Sequence, residues 1–276
     1  MMLPAAGFFL VSFLWPMVLV GRLSLFRSDY VTTVFAGLGN YRAALSDAYF
    51  LKSFVNGFIF VAIIAPPSVL LAYLAASFLS GFSERVQGIG RFVIYVPGLT
   101  SGLIMALLWG WLFLRDGLVN EFLGAVGIQA VPWLARPWTA RVAIAVISVT
   151  SGLGGYVIIF SAAMRSVPRE LHDAAMTDGA SLRQYRHHVV LPLMVPTITL
   201  CLLLAVVGIM QMWETIYVLA QDGGPEGATA SPVYEIFLTA FKFGKAGLAA
   251  SKGIILLVVI AAMLLIKQRV EKWARV

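Results

Sequence analysis

Residues 169–196 read RELHDAAMTDGASLRQYRHHVVLPLMVP and form a polar segment between two strongly apolar stretches of the chain. Charged side chains are costly in the hydrocarbon core of a membrane, so these residues are expected to lie outside it. The segment therefore divides the apolar sequence on its two sides into separate membrane spans. Its helical spacing indicates a docking surface for something soluble.

The composition places the whole chain in a membrane. Sixty per cent of its residues are hydrophobic and 12% are charged, whereas about a quarter are charged in soluble domains. A helix needs about 20 apolar residues to cross the hydrocarbon core, and strands of a barrel would alternate instead. The sequence predicts an all-α polytopic protein with one membrane domain, residues 1–276. Its six predicted spans are Ala5–Leu25, Phe54–Leu79, Phe92–Leu114, Val142–Met164, Leu193–Leu219 and Leu248–Ile266.

The charge pattern gives the expected orientation. If both termini are cytoplasmic, the inner loops hold basic residues at a little under twice the density of the outer loops, and such a bias favours this arrangement. The net charge of +7 is spread along loops without a Lys/Arg run. It indicates ordinary membrane-surface charge and no nucleic-acid partner.

The polar segment predicts two short helices. Pro168 suits the first position of a helix over Arg169–Thr177, and Gly179 ends that helix. Ser181 and Gln184 have the spacing of a capping box, which predicts a second helix over Leu182–Val190. The next span is then expected to begin at Pro192.

Small side chains dominate one face of the first helix. Leu171, Ala174, Ala175 and Asp178 follow at i, i+3, i+4 and i+7, so they form a narrow ridge on which another backbone can approach closely. Four charged residues are available for ion pairs at its rim, namely Glu170, Asp173, Arg183 and Arg186. The alternative is an amphipathic loop that lies at the membrane surface without a partner.

The same residues resemble the EAA loop of binding-protein-dependent ABC transporter permeases. That pattern is Glu-Ala-Ala, three residues, Gly, nine residues, a branched aliphatic, any residue, and Leu-Pro. The corresponding residues here are Asp173, Ala174, Ala175, Gly179, Val189, Leu191 and Pro192, with an Asp178-Gly179-Ala180 turn as in the sugar branch. The departure is Asp173, whose carboxylate has one methylene less reach than the usual Glu.

The resemblance implies a role for this region. It identifies residues 165–192, hereafter the coupling segment, as the cytoplasmic loop whose helix sits in a groove of a separate ATPase subunit. The residues expected to couple to the ATPase are Glu170, Asp173, Ala174, Ala175, Asp178, Gly179, Ala180, Leu191 and Pro192.

A second stretch indicates a transport pathway. Glu214 is the only carboxylate within a predicted span, so it is expected to face a polar cavity or a partner. Met210, Trp213 and Tyr217 are predicted to share its helical face. An aromatic surface beside an acceptor suits a sugar, which has flat C–H faces and hydroxyl donors. The alternatives are an interfacial aromatic belt and a structural pair with another helix.

Residues 210–225 also resemble the signature of the first, F-type, membrane subunit of sugar permeases of the maltose and glycerol-phosphate type. The signature is Phe-Asp-x-Ile-Tyr-Val-Leu-Thr-x-Gly-Gly-Pro. Two departures are Ala220 in place of Thr and one extra residue before Gly223. The turn Gly223-Gly224-Pro225 is expected at an outer gate or loop. GLGNY at residues 37–41 and VPGLTSGLIMALLWGWLF at 96–113 extend the resemblance over nearly the whole chain.

Three further residues are weaker pathway candidates. Ser151 and Tyr156 lie in a stretch of small and polar residues within the fourth predicted span, and Asn56 lies in the second. Small residues there either allow close helix packing or border a cavity. Both interpretations stay open at this point.

The sequence lacks the motifs for ATP binding, zinc binding and an internal disulfide. No Gly-x-x-x-x-Gly-Lys-Ser/Thr loop is present to bind ATP, and Gly244-Lys245 is followed by Ala246. His187 and His188 are adjacent and lack the spacing of a zinc site. A single cysteine, Cys201, excludes an internal disulfide and is expected to be buried. No cofactor is therefore expected in this chain. The resemblance implies that ATP and magnesium bind to the partner ATPase.

The resemblance implies a permease subunit of a sugar importer of ABC type I fold, in a bacterial inner membrane. Its partners are a second permease subunit, two ATPase subunits, an extracytoplasmic binding protein, the sugar and membrane lipid. The mechanism implied is alternating access, and the chain itself is not an enzyme. The rivals are an ABC permease for a non-sugar solute and, in another class, an ion-coupled secondary transporter.

Overall fold

A computed structural model describes residues 7–273. Within them, five helices are long and apolar enough to cross a membrane, and one bent helix pair is a further candidate span. These helices occupy the six predicted apolar runs, so the prediction of an all-α polytopic fold is confirmed. Ala5 and Ala6, with which the first predicted span begins, lie outside the described residues.

The elements are, in chain order, α1 (Gly7–Ser24), β1 (Phe26–Ser28), β2 (Thr33–Phe35), α2 (Gly39–Leu45), α3 (Ala48–Leu79), α4 (Glu84–Leu99), α5 (Gly102–Leu112), α6 (Leu118–Ala125), α7 (Pro137–Arg165), α8 (Arg169–Thr177), α9 (Leu182–Met210), α10 (Glu214–Leu219), α11 (Pro232–Phe237) and α12 (Ala246–Trp273). The chain forms two compact units. The terminal unit comprises the described residues up to Gly57 and from Ala230 onward, and the central unit comprises Phe58–Thr229.

In the terminal unit, α12 packs against α1 and α2. Asn40, from the GLGNY stretch, donates hydrogen bonds from Nδ2 to the carbonyls of Ser24 at 2.8 Å and Phe26 at 2.9 Å. The first bond satisfies a carbonyl at the end of α1, where a helix lacks its own donors, and the second satisfies the carbonyl of the first residue of β1. Gly247 of α12 lies against the Phe26 carbonyl, where a side chain would collide. The motif therefore fixes how the chain leaves the first span.

A buried ion pair also lies in the terminal unit. Lys252, on α12, is 2% exposed, and its Nζ donates to Asp47 Oδ2 at 2.7 Å and to Thr239 Oγ1 at 2.9 Å. Asp47 also accepts from the backbone N–H groups of Tyr49 and Phe50, so it caps α3. This cap explains why α3 begins at Ala48, ahead of the predicted Phe54.

The two carboxylates beside Lys252 have different surroundings. Partial burial opposes ionisation of Asp47, but the hydrogen bond from Lys252 and the backbone donors outweigh it and lower the pKa of that carboxyl. Burial raises the pKa of Glu235, on α11, although the Lys252 charge offsets part of the effect. Asp47 is therefore the carboxylate that balances the buried ammonium.

The central unit has two apolar clusters. One joins α3, α7 and α9 through the buried residues Val69, Ala72, Ala76, Leu79, Val157, Phe160 and Cys201. The burial predicted for Cys201 is thus confirmed. The other lies around Phe113 and Ile147 and includes the half-buried Trp133. Together they hold α7 among the helices that carry the candidate sites.

Helices α4 and α7 approach each other at a glycine. A Cβ atom on Gly154 would lie 2.5 Å from the Tyr95 Cα atom and 2.8 Å from the Ile94 carbonyl oxygen. Both neighbours are backbone atoms, so they cannot rotate away. The close approach of α4 and α7 at this point therefore requires a small residue in α7.

Gly154→Ala should therefore destabilise the protein, by about 1–3 kcal/mol, because the added methyl group forces the two backbones apart. Gly155→Ala is the matched control, since no atom lies within 4 Å of a Cβ at that position. Thermal unfolding of both variants in detergent checks the prediction. Equal midpoints for the two alanine variants would contradict the close contact.

Candidate functional site

The coupling segment contains the helix that the sequence predicts. Helix α8 runs over Arg169–Thr177, and Pro168 precedes it as the N-cap instead of forming its first residue. No residue of α8 is buried within the chain. Leu171 and Ala174 are exposed, and Ala175 is half-buried. The ridge is therefore open to contact from outside the chain.

A left-handed glycine ends α8. Gly179 has φ +77°, and the backbone N–H of Ala180 donates to the Ala175 carbonyl at 2.9 Å. Side chains rarely adopt this conformation, which is why glycine suits a helix end that turns sharply. The predicted break at Gly179 is confirmed.

The capping box after the turn is also confirmed. Ser181 Oγ accepts from the Gln184 backbone N–H at 3.3 Å, and the Ser181 backbone N–H donates to Gln184 Oε1 at 2.8 Å. The rings of His172 and Tyr185 meet edge to face with centroids 5.1 Å apart. This aromatic contact joins α8 to the start of α9, and sequence reasoning did not single it out.

The prediction of a separate second helix that stops before Pro192 is wrong. Helix α9 is continuous over Leu182–Met210 and includes a π-helical turn at Arg186–Val190. Proline has no N–H, and its ring clashes with a carbonyl one turn earlier. The wider π turn directly before Pro192 relieves that conflict, so Leu191 and Pro192 lie inside the span's helix.

The acidic residues of the segment are available to a partner. The Asp173 side chain is 79% exposed, and its Oδ1 lies 3.2 Å from His172 Nδ1. Glu170, Asp173 and Asp178 are all exposed. An exposed contact of this kind contributes little to stability. These three carboxylates are therefore available for recognition of a partner protein.

A second site lies where two of the predicted spans are broken. The third predicted span, Phe92–Leu114, is two helices, α4 and α5, that meet at an angle of 94°. Thr100 is extended, and Ser101 caps α5 by accepting from the Leu103 N–H. Pro97 and Gly98 precede the break and weaken the helix there.

The fifth predicted span, Leu193–Leu219, is also wrong as a single helix. Helix α9 ends at Met210, and Trp213 has non-helical dihedrals, φ −144° and ψ −35°, before α10 begins at Glu214. The expected common face of Met210, Trp213, Glu214 and Tyr217 on one helix is therefore interrupted. Met210 is fully buried, whereas Tyr217 is 49% exposed.

The two breaks meet beside α7. The Glu214 carboxylate lies against Gly102, the first residue of α5, at a point where any side chain on Gly102 would collide with Oε2. Ser148 Oγ lies 3.2 Å from Met212 Sδ, and a Cβ on Gly98 would lie 2.9 Å from the Ser151 carbonyl oxygen. Discontinuous helices with polar groups at their ends are a recurring form of transporter substrate site.

Two polar groups at this site, a hydroxyl and a carboxylate, lack a hydrogen-bond or ion-pair partner within the described residues. The Ser151 hydroxyl is buried and has no hydrogen-bond partner there. Within the described residues, no ion pair reaches the Glu214 carboxylate, which lies at the positive end of α5. The rings of Trp213 and Tyr217 lie 6.1 Å apart next to it. We call Glu214, Trp213, Tyr217 and Ser151 the broken-span site.

Two other pathway candidates lie elsewhere. Tyr156 packs against the apolar cluster around Val157 and Cys201. Asn56 is buried in the terminal unit and donates from Nδ2 to the Ala230 carbonyl at 3.0 Å. Packing and backbone hydrogen bonding account for their positions.

The Gly223-Gly224-Pro225 turn is tightly folded within the central unit. Thr229 donates to the Gly223 carbonyl through Oγ1 at 2.6 Å and through its backbone N–H at 2.9 Å. Gly224 has φ +73°, and a Cβ there would meet Thr229 Oγ1 at 2.5 Å. Arg141 of α7 donates to the Ala228 carbonyl at 2.9 Å. These bonds hold the turn against α7.

The chain matches a known protein family over most of its length. Residues 68–276 match the family described as binding-protein-dependent transport system inner membrane component. The matched range contains both the coupling segment and the broken-span site.

Individual relatives cover most of the chain. It is 30% identical to the trehalose/maltose transport system permease protein of Thermococcus litoralis, over 100% of this chain and 93% of that protein. It is 29% identical to the lactose transport system permease protein of Rhizobium radiobacter, over 87% and 82% of the respective lengths.

A solved structure has the same fold. It is a bacterial ABC transporter involved in import of the acidic polysaccharide alginate, with a TM-score of 0.83 and 22% identity. The match covers 99% of this chain and 93% of that one. The predicted fold of an ABC importer permease is confirmed.

Proposed function

Because the chain belongs to the family of binding-protein-dependent transport system inner membrane components, we propose that it is a permease subunit of an ABC importer for a neutral sugar or oligosaccharide. Its helices would provide the pathway, and ATP hydrolysis would occur on a separate subunit. The observation that carries the proposal is α8, a helix between two spans with no buried residue of its own. An exposed helix with a ridge of small side chains is suited to contact with a partner.

The shape and charge of α8 fit a groove in an ATPase subunit. Leu171 and Ala174 present a narrow apolar ridge that allows close backbone approach, and Asp173 offers an exposed carboxylate at its rim. The Gly179 turn and the capping box define the backbone path between α8 and α9. Motion of the ATPase would therefore be transmitted directly into α9, because α9 continues from the coupling segment without a break at Pro192.

The broken-span site supports a sugar as the solute. Its Glu214 carboxylate can accept hydrogen bonds from hydroxyl groups, and Trp213 and Tyr217 provide ring faces for C–H groups. Ser151 adds a buried hydroxyl without a partner in the described chain. Relatives with names for lactose and for trehalose and maltose transport agree with this solute class.

A glycerol-phosphate permease is a second candidate, because such a protein of Yersinia enterocolitica is 27% identical over the full chain. The carboxylate at the broken-span site argues against it. A phosphate group close to the Glu214 carboxylate would meet like charge, which costs free energy. A neutral solute fits these residues better.

The remaining parts of the assembly follow from the same proposal. The coupling segment would lie in the cytoplasm of a bacterium, with both termini on that side of the inner membrane. The chain would pair with a second permease subunit and two ATPase subunits, and the turn around Gly223 would face an extracytoplasmic binding protein. Alternating access would then expose the broken-span site to each side in turn.

The function can be tested by reconstituting the chain with its second permease subunit, its ATPase and its binding protein, all purified together. A panel of neutral sugars, glycerol phosphate and amino acids is then screened for stimulated ATP hydrolysis. Stimulation by a neutral sugar is expected. Stimulation by glycerol phosphate alone, or by an amino acid alone, would refute the proposed solute class.

Glu214→Ala should reduce sugar uptake by roughly tenfold or more, since a hydrogen bond to a charged group contributes about 1.5–3 kcal/mol. Assembly with the ATPase should be unchanged. Glu121→Ala, on the outer helix α6, is the control for loss of a carboxylate. Unchanged uptake kinetics in Glu214→Ala would assign this residue a structural role.

A further inference from the structure

A large basic cavity lies beside the coupling segment in the central unit. Its volume is about 740 Å³, and it opens where the ends of α3 and α7 and the start of α4 meet the beginning of α8. Neither the coupling surface on α8 nor the broken-span site accounts for it. Its charged lining residues are Glu84, Arg91, Arg165 and Arg169.

Positive charge exceeds negative charge in this lining. Three arginines face the cavity together with one glutamate. No ion pair joins any of these arginines to a carboxylate within the described residues. Arg91 donates from Nε to the Gln87 carbonyl at 3.0 Å, which fixes the base of its side chain within the cavity wall.

A further arginine lies close to the same helix ends. Arg186, at the start of the π turn in α9, places its guanidinium 3.6 Å from where a Cβ on Gly81 would be. Gly81 directly follows Ser80, which lines the cavity. Positive charge at the cavity therefore comes from α4 and from the end of α7 with the start of α8, and Arg186 of α9 adds a further positive charge close to Gly81.

The position of the cavity favours one kind of anion. Helices α3 and α7 are long and apolar enough to be membrane spans, and they end at Leu79 and Arg165, so a cavity at these ends is expected near the level of lipid phosphates. Leu79 and Met164 add apolar surface next to the arginines. Basic pockets between spans at a membrane surface are suited to anionic lipid head groups, and guanidinium groups bind phosphate with fixed geometry.

We propose that this cavity binds the phosphate head group of an anionic phospholipid. Arg91 and Arg165 hold the phosphate, and Leu79 and Met164 contact the adjoining part of the lipid. Arg169 is the first residue of α8, so a bound head group also fixes the start of the coupling helix. The site depends on the membrane position of the spans, and it does not depend on which solute is transported.

The test uses the assembled transporter in nanodiscs of phosphatidylcholine with increasing phosphatidylglycerol. Native mass spectrometry of the released complex counts retained lipid, and thermal unfolding reports stabilisation. Wild type should retain phosphatidylglycerol in preference to phosphatidylcholine. Arg91→Gln with Arg165→Gln should weaken that preference by about fivefold for each arginine removed.

Two controls separate charge from damage to the fold. Arg183→Gln removes an exposed arginine of α9 that does not line the cavity, and it should leave the lipid preference intact. Arg91→Lys with Arg165→Lys retains the charge and should retain most of the binding. If wild type retains phosphatidylglycerol and phosphatidylcholine equally, that result alone overturns the proposal. Equal stabilisation by inorganic phosphate in pure phosphatidylcholine would also overturn it, because the ligand would then be a free anion.

Discussion

Gly179→Trp should abolish sugar-stimulated ATP hydrolysis and uptake while the protein still inserts and folds. The turn at Gly179 has φ +77°, which other residues adopt only at a cost of about 1–2 kcal/mol. An indole at the end of α8 would also block close approach of a partner. Displacement of a positioned contact by about 1 Å is enough to lower a rate by about 10²-fold. Stimulated hydrolysis in the purified assembly is the measurement.

Gly127→Trp is a matched control for this variant. Gly127 has φ +81° and, like Gly179, has no atom within 4 Å of a Cβ, but it lies in the loop after α6. Gly127→Trp imposes a similar backbone strain away from the coupling segment. Transport and stimulated hydrolysis by this variant should therefore remain near those of wild type. Normal coupling in Gly179→Trp would contradict the role of this turn.

The charge on α8 gives an independent pair of variants. Asp173→Lys reverses the exposed carboxylate and should uncouple hydrolysis from transport, because it repels any cation of the partner groove. Asp173→Glu restores the residue usual in the family motif and should keep or improve coupling. Wild-type coupling in Asp173→Lys would exclude an ion pair at this position.

The second large effect is a loss of folding stability, expected when the buried ion pair between Asp47 and Lys252 is broken. Asp47→Asn keeps the shape and much of the helix cap but leaves the Lys252 ammonium, which is 2% exposed, without its main counter-charge. Breaking a buried pair by removal of one partner costs about 3–5 kcal/mol. Lys252→Met should cost less, since it removes the buried charge and leaves Asp47 partly exposed to water.

Thermal unfolding of Asp47→Asn, Lys252→Met and the double variant tests this asymmetry. The double variant should resemble Lys252→Met. The pKa of Asp47 is lowered in the folded protein, so its contribution is present above the pKa of an unfolded aspartate, about 3.9, and is lost as pH falls through the folded value. Asp47→Asn should lack this acid-dependent loss. A Lys252→Met variant less stable than Asp47→Asn would contradict the account.

Much of the fold follows from local sequence rules. The apolar runs predict the spans because each must cross the same thickness of hydrocarbon. The coupling helix and its turn were predictable because Gly179 and the Ser181 and Gln184 pair determine backbone geometry within a few residues. These features need no information from distant parts of the chain.

The broken spans were harder to predict, because hydropathy measures apolar character and does not detect a change in direction. Pro97, Gly98 and Ser101 together are a signal for the bend in the third span. The break at residues 211–213 has no proline or glycine. It accompanies packing of α10 along α5, where a Cβ on Gly110 would lie 2.9 Å from the Leu219 side chain.

Lys252 shows another limit of sequence interpretation. It lies within the sixth predicted span, where a lysine is costly enough to indicate a partner. The partner, Asp47, is 205 residues away in sequence. Sequence alone can therefore flag the lysine but cannot identify the carboxylate that pairs with it.

The proposed function requires that a separate ATPase drives solute through this chain. Its most direct test is sugar uptake into proteoliposomes that contain the assembled transporter and its binding protein, with ionophores present to dissipate ion gradients. Uptake is expected to require ATP and the ATPase subunit and to continue when the gradients are abolished. Uptake by this chain without the ATPase, driven by a proton or sodium gradient, would contradict it.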